Sequence, residues 1–437
     1  MAATDIFPLS ALSNAADHLE IGGCDTTRLA EEFGTPLYVY DELTLRTLAT
    51  QAQQALVAQW PTTTLLYATK AFFAPFLARL YQELGLGLDV TSEGELEIVR
   101  RVDFARDRIY LHGNNKTPSE IRAALALGID HIVVDNRSEI PLIAAIAAEL
   151  GVRPRLTLRL SPNIDPHTHR YLTTAHAGSK FGLGISNGEA VRAFREICKH
   201  PQLQLVGLHF HLGSQIFEAE TYPRGVAGAL NVARDWQTRF GFELQELDVG
   251  GGWGVAYTED QEPLPFDWMA RTISSALRDG LAERNLPGNC KLVVEPGRAL
   301  IARAGVALYR IGSIKRISVS HTYAAVDGGM GDNIRPPLYG ARYIARLANR
   351  FNAEAEHTYS IAGRYCEQGD ILIDSIPLPR LNTGDLLVIP AGGAYQLPMA
   401  SNYNLMPRPA VVLVKDGDAR LVRRRETMAD LLACDVE

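Results

Sequence analysis

Between residues 63 and 298 short β-rich runs alternate with longer segments of helical periodicity, and this alternation limits the possible folds more than any other feature. The runs fall at 64–70, 86–90, 108–111, 131–135, 156–160, 206–211, 244–249 and 292–295. Segments such as 139–150 and 188–200 lie between them, with apolar residues at helical spacing and Gly, Asn or Pro at their bounds. Eight strands alternating with helices predict an α/β fold, a parallel (βα)8 TIM-like barrel. Such a barrel takes about 250 residues, so a chain of 437 has room for a second domain.

After residue 298 the pattern changes. Runs at 306–311, 386–389 and 410–414 are joined by turn signals rather than long helices, and Lys415-Asp416-Gly417-Asp418 reads as a hairpin turn. This predicts a C-terminal antiparallel β-domain, a sandwich or barrel, joined by a strand at 36–40 from the N-terminal segment. The expected division is 1–40 packing with the β-domain, 41–303 forming the barrel and 304–437 forming the β-domain. No fixed-period repeat or low-complexity tract interrupts the pattern.

Composition narrows the partners. With 46% hydrophobic and 21% charged residues the chain has the profile of a globular protein. No apolar run is long enough to span a bilayer, so no membrane partner is expected. The net charge of −7 comes from interspersed acids and bases, without a basic block to neutralise a phosphate backbone, which argues against nucleic acid. The first fourteen residues carry Asp5 and no Lys or Arg, unlike the start of a signal peptide, so a cytoplasmic location is expected. Five scattered cysteines suit neither a zinc site nor a redox pair. Cys24, Cys198, Cys290 and Cys434 are expected to be packing residues, whereas Cys366 lies in a polar stretch.

In a barrel, catalytic groups project from the C-terminal ends of strands. Those ends carry Lys70, Asp89, His112 with Asn114, Arg159, His211, Gly250-Gly251-Gly252 and Glu295-Pro296-Gly297-Arg298. Lys70 is either a snorkelling strand-end lysine or, if desolvated, an amine nucleophile able to form a Schiff base. The three glycines are either a flexible turn or an anion-binding nest for a phosphate, with Glu295 through Arg298 adding donors nearby. Glu295 can hydrogen-bond a protonated pyridine nitrogen or pair with Arg298 or Arg159. His209 and His211 lie two apart on one strand face and suggest a metal pair, but no further ligands have suitable spacing, so no metal site is assigned. His211 can instead stack on a planar cofactor whose phosphate Ser214 caps.

The second domain adds three polar clusters. Residues 327–339 form a glycine-rich stretch ending in Arg335 and Tyr339, which is either a surface loop or a grip for a substrate carboxylate. Cys366-Glu367 offers a proton donor beside a carboxylate, and Gly392-Gly393-Ala394-Tyr395 places a tyrosine in a tight turn.

Taken in order, these motifs resemble the fold-type III pyridoxal-phosphate decarboxylases, the family of ornithine and arginine decarboxylases, and most closely its diaminopimelate branch. The resemblance runs from about Pro36 to the C-terminus. It rests on Tyr67-Ala68-Thr69-Lys70-Ala71, His112-Gly113-Asn114-Asn115-Lys116, Ser179-Lys180-Phe181-Gly182, His209-Phe210-His211-Leu212-Gly213-Ser214-Gln215, Gly250-Gly251-Gly252, Glu295-Pro296-Gly297-Arg298, Arg335-Pro336-Pro337-Leu338-Tyr339-Gly340, Cys366-Glu367 and Met399-Ala400-Ser401-Asn402-Tyr403-Asn404.

The resemblance implies that pyridoxal 5'-phosphate is carried on Lys70, with His211 stacked on its ring and Glu295 paired with its pyridine nitrogen. Asp89, His112, Arg159, Ser214, Gly250, Gly251, Gly252, Gly297, Arg298 and Tyr395 would complete the cofactor site. Arg298, Arg335 and Tyr339 would grip a substrate carboxylate, with Tyr395 beside them, and Glu367 would read the distal ammonium. Cys366 would return a proton, reaching with Glu367 into the active site of the second copy in a homodimer with shared sites. A cation at Arg335 favours meso-2,6-diaminopimelate, decarboxylated to L-lysine, over arginine, ornithine, lysine or carboxynorspermidine. The sequence departs from the family's usual pattern at Ala362-Gly363-Arg364-Tyr365, Gln368 and Gln396-Leu397-Pro398, near the substrate positions rather than the cofactor ones. A non-catalytic relative and a metal-dependent hydrolase using His209 and His211 are the readings from other classes.

Overall fold

The computed structural model describes residues 6–162, 179–319 and 321–436. They divide into two compact units: Met1–Leu48 with Val255–Glu262 and Leu300–Glu437, and Ala49–Gly254 with Pro263–Ala299. Val255–Glu262 thus groups with the first unit although barrel segments flank it in sequence.

The second unit is the expected barrel. Its strands are Thr63–Ala68, Gly87–Val90, Ile109–Leu111, His131–Val134, Arg155–Ser161, Gln204–Phe210, Glu246–Asp248 and Lys291–Val294. All neighbouring pairs are parallel, and pairing of the eighth strand with the first closes the ring. A two-residue strand, Leu183–Gly184, adds beside the end of the fifth. Inward side chains such as Leu66, Tyr110, Val133 and Val293 pack against one another in the barrel core.

Local signals set the helix bounds. Thr117 caps Pro118–Ala126 in a reciprocal box with Glu120, and Gly151 and Gly241 end their helices in the left-handed conformation.

The barrel's N-terminal end is plugged by a buried polar cluster that sequence analysis did not single out. His131, Glu246 and Lys291 each open a strand. Glu246 receives His131 Nε2 at 2.8 Å, Thr157 Oγ1 at 2.9 Å and the Tyr110 hydroxyl at 3.2 Å. The His131 ring stacks on Tyr110 at 3.6 Å. Polar groups so buried are tolerated only when paired, and here they serve the stable end of the barrel rather than the chemical one.

The other unit is built on a sheet ordered Ile371–Leu378, His357–Ala362, Thr322–Val326, Gly305–Arg316, Leu37–Asp41, Ala410–Lys415 and Asp418–Arg423. The N-terminal strand, expected at 36–40, is a central member: Leu37–Asp41 lies antiparallel to Gly305–Arg316 and parallel to Ala410–Lys415. The sheet is therefore mixed rather than purely antiparallel, with a second parallel pair between Thr322–Val326 and His357–Ala362. Alternation along a strand reports which face is buried but not the direction of its neighbour, which is why the sequence pattern did not reveal this. The hairpin at Lys415–Asp418 forms as expected, with Asp416 and Gly417 at φ 50° and 84°.

Two cysteine expectations are corrected. Cys24 and Cys290 are buried, but Cys198 and Cys434 are exposed, as is Cys366. Cys198 follows the last turn of a helix and Cys434 lies close to the C-terminus, where little packs over them.

Candidate active site

The C-terminal ends of the barrel strands surround a cavity of about 380 Å³. Lys70, Asp89, His112, Asn114, Arg159, His211 and Glu295 all line it, so seven of the strand-end residues singled out from the sequence come together. Lys70 does not end the first strand. It sits in a single 3-10 turn, Thr69–Ala71, that follows Thr63–Ala68. The residue is exposed rather than buried, and it lines the cavity from this turn and not from the apolar strand.

Glu295 is the electrostatic centre. It is 5% exposed, with His112 Nε2 2.7 Å from Oε1 and His209 Nε2 3.3 Å from Oε2. Burial pushes its carboxyl upward, but the two imidazoles outweigh burial and hold it well below the usual range. His209 itself is driven down to about 4 by burial, against the pull of Glu295, so at neutral pH it serves as a neutral donor. Asp89, 3.8 Å from His112, is raised by burial. The metal pair considered from the sequence is not formed: His209 turns to Glu295, and the group whose ligand atoms lie within 4.8 Å of one another is His112, His209 and Glu295, without His211.

His211 is fixed by the glycine turn. The Gly251 amide N–H donates to its Nδ1 at 3.2 Å, which leaves the ring proton on Nε2. Burial, with Lys70 and Arg159 nearby, pushes this imidazole well below its ordinary value, so a flat, neutral ring faces the cavity. The turn is in turn anchored by the Tyr222 hydroxyl, which donates to Gly251 O at 2.7 Å.

The phosphate nest expected from Gly250, Gly251 and Gly252 needs revision. The Gly250 N–H donates to Asp248 Oδ1 at 2.8 Å and the Gly251 N–H to His211, so two of the three amides serve protein groups. Gly252 is the remaining amide of the turn, and a cation is close at hand: Arg298, 5% exposed, donates through Nη2 to Ser214 Oγ at 2.9 Å. Gly297 is needed for packing, since a Cβ there would come 3.0 Å from Ala68 O.

Sequence reasoning passed over several supporting groups. Lys116 forms a buried ion pair with Glu139 at 2.6 Å, and Arg159 Nε lies 3.5 Å from Asp135. His209 entered only as a metal candidate, and Asp248 not at all. The signal for these residues was their position at or just beyond strand ends, which by itself does not separate a supporting carboxylate from a solvated one.

Of the substrate-reading candidates, Arg298 lies in the barrel unit, and Arg335, Tyr339, Glu367 and Tyr395 lie in the other. Arg335 is 4% exposed and its guanidinium is ringed by Tyr257, Tyr339 and Tyr395, at 5.0, 6.0 and 6.0 Å. Among the described residues no acid pairs with it. Tyr395 holds a left-handed backbone at φ 59°. Cys366 and Glu367 are exposed, and the Cys366 N–H donates to Asn404 Oδ1 at 2.9 Å.

The barrel site fits pyridoxal phosphate. Asp89 Oδ1 and Glu295 Oε1 are buried without a well-aligned hydrogen bond, beside a lysine amine and a flat histidine ring, which suits a protonated ring nitrogen.

Residues 45–302 match the family described as pyridoxal-dependent decarboxylase, pyridoxal binding domain. The chain is 42% identical over 425 residues to a diaminopimelate decarboxylase of Bacillus subtilis (strain 168), covering 97% of this chain and 96% of the relative. A diaminopimelate decarboxylase of Mycobacterium tuberculosis (strain ATCC 25618 / H37Rv) is 39% identical, covering 99% of this chain and 98% of the relative. The crystal structure of diaminopimelate decarboxylase from M. jannaschii in complex with L-lysine superposes with a TM-score of 0.89 at 31% identity, covering 98% of both chains.

Proposed function

Since the chain belongs to the pyridoxal-dependent decarboxylase family, we propose that it removes one carboxylate from meso-2,6-diaminopimelate to give L-lysine and carbon dioxide, as the last step of lysine formation. The observation that carries the substrate is Arg335, a buried guanidinium among three tyrosines with no acidic partner among the described residues. A second carboxylate on the substrate neutralises it, whereas a simple diamine precursor brings only another cation.

Lys70 would hold the cofactor, with His211 beside its ring and Ser214, Gly252 and Arg298 at its phosphate. Bound there, pyridoxal phosphate supplies a protonated pyridine ring that takes up the electron pair released when carbon dioxide leaves. Glu295, kept ionised by His112 and His209, would hold the proton on the ring nitrogen. Arg335 and Tyr339 orient the substrate through its distal carboxylate, Glu367 reads the distal ammonium, and the Cys366 thiol returns a proton to the carbon that lost its carboxylate. Cys366 and Glu367 act in the site of a second copy, so the working form is a homodimer, located in the cytoplasm. No helix among the described residues is long and apolar enough to cross a membrane.

The test is direct. The purified protein, supplied with pyridoxal phosphate, is reduced with borohydride and mapped by peptide mass. It is also offered meso-diaminopimelate, ornithine, arginine and lysine while carbon dioxide is followed. Labelling of Lys70 and conversion of diaminopimelate to lysine are expected. A label at another position, or release from ornithine or arginine but not from diaminopimelate, overturns the proposal.

A further inference from the structure

Asp248 closes the seventh barrel strand, is fully buried, and pairs in register with His209 on one neighbour and Val293 on the other. Its Oδ1 accepts the Gly250 N–H at 2.8 Å. Its Oδ2 is equally buried and meets no donor among the described residues. Beside Asp248 stands the carboxyl group of Glu295, two residues beyond its register partner Val293 on the same strand face and close enough for a side-chain hydrogen bond. Two carboxyl groups bond in this way only when one of them keeps its proton.

The surroundings decide which one keeps it. Glu295 has an imidazole nitrogen against each oxygen, from His112 and His209. Among the described residues Asp248 makes no ion pair, and Glu246 on the same strand adds negative charge. Burial, then Glu295, drives the Asp248 carboxyl well above its ordinary value, while the histidines hold Glu295 well below. The pair therefore carries one negative charge, placed on the member that lines the cavity.

We propose that Asp248 is a positioning residue for the cofactor: its neutral carboxyl group donates to Glu295 and fixes the carboxylate that faces the pyridine nitrogen. One oxygen is tied to the glycine turn and the other to Glu295, so Asp248 links the turn that orients His211 to the group that holds the ring proton. This inference rests on the cofactor reading above and adds to it a residue that touches neither substrate nor cofactor.

The experiment compares wild type, Asp248→Asn and Asp248→Leu, with Glu295→Gln and the Glu295→Gln/Asp248→Leu pair. Far-UV circular dichroism checks folding. The first readout is the infrared carbonyl stretch of a neutral carboxylic acid at about pH 8, far above the ordinary carboxylate range, measured without cofactor as wild type minus Asp248→Asn. The band is expected, and its absence overturns the proposal even if Asp248→Leu does not fold.

The second readout is pyridoxal phosphate affinity and the visible band of the bound cofactor. Asp248→Asn, whose amide still donates to Glu295 and whose carbonyl still accepts from Gly250, is expected to bind within about threefold of wild type with an unshifted band. Asp248→Leu is expected to bind about thirtyfold more weakly with a shifted band. In the Glu295→Gln background the same substitution should add less than about threefold, because its target is already gone. A folded Asp248→Leu with wild-type affinity and band, or a folded Asp248→Asn as impaired as Asp248→Leu, overturns it. A wild-type chain that takes up no pyridoxal phosphate defeats the proposed function instead, and the infrared result is read independently of it.

Discussion

The guanidinium carbon of Arg335 lies 5.0 Å from the centroid of the Tyr257 ring, and Arg335 Nη1 donates to the hydroxyl of the same tyrosine at 3.4 Å. A buried cation without a counterion is costly, and aromatic faces offset only part of that cost. The arrangement is poised for an anion brought by the substrate.

Arg335→Met should therefore lower kcat/KM for meso-diaminopimelate about a hundredfold, which corresponds to about 3 kcal/mol for the loss of charge-assisted hydrogen bonds. Pyridoxal phosphate affinity should not change. Arg335→Lys should recover only part of the loss, because an ammonium neither spans a carboxylate in two-point fashion nor stacks on tyrosine as a guanidinium does. Steady-state kinetics of the three proteins check this, and unchanged kcat/KM in Arg335→Met refutes it.

The glycine turn allows a comparison between two left-handed glycines. At Gly252, φ +103°, an added Cβ would sit 2.2 Å from Gly213 O, whereas at Gly128, φ +83°, it would meet nothing within 4 Å. Gly128→Ala should cost about 1 kcal/mol, the backbone penalty alone. Gly252→Ala adds a backbone clash that no rotamer relieves and should cost about 3 kcal/mol or more, together with loss of cofactor retention. Urea unfolding and cofactor titration distinguish the two.

Much of this was legible in the sequence, and what was missed has identifiable physical causes. The eight barrel strands and the polar residues at their ends stood out because apolar runs ending in Asp89, His112 or Glu295 break the pattern that a core requires. The 3-10 turn carrying Lys70 was hidden, since Thr69 and Lys70 continue the run of Thr63–Ala68 without a turn signal. The mixed direction of the second sheet was hidden because strand periodicity is the same in either orientation. The aromatic surround of Arg335 was hidden by distance along the chain, Tyr257 being 78 residues away. The link between Asp248 and Glu295 was hidden because a long helix, Phe266–Glu283, separates the seventh strand from the eighth, and only their parallel register brings the two carboxyl groups to one place.

The buried cluster at the other end of the barrel predicts acid sensitivity. Burial raises the Glu246 carboxyl, but His131 and Lys291 outweigh it and bring the group to about 2, against 4.5 for an ordinary glutamate. A carboxyl depressed on folding stabilises fully above its unfolded value and loses that contribution as pH falls through the folded one. Glu246→Gln should cost about 3 kcal/mol near neutral pH, because it removes the charged acceptor of the buried His131 and Thr157 donors. The gap to wild type should close between about pH 4.5 and 2. Urea midpoints across that range check the sign: a gap that widens on acidification contradicts it.

A site shared between two copies, as proposed, makes a prediction that a self-contained site does not. Lys70→Ala and Cys366→Ala should each be nearly inactive, and light scattering should give each about twice the 47.9 kDa of one copy. Dissociating and re-pairing equal amounts at random yields heterodimers in about half of the molecules. If each site takes Lys70 from one copy and Cys366 from the other, one of the two sites in a heterodimer has both residues intact and the other has neither. The mixture should then recover about a quarter of wild-type decarboxylation. If each copy builds its own site, every site in the mixture lacks either Lys70 or Cys366, and no activity returns. The assay of the re-paired mixture thus tests the role of Cys366 and the exchange of residues between copies at once, because recovery requires that both hold.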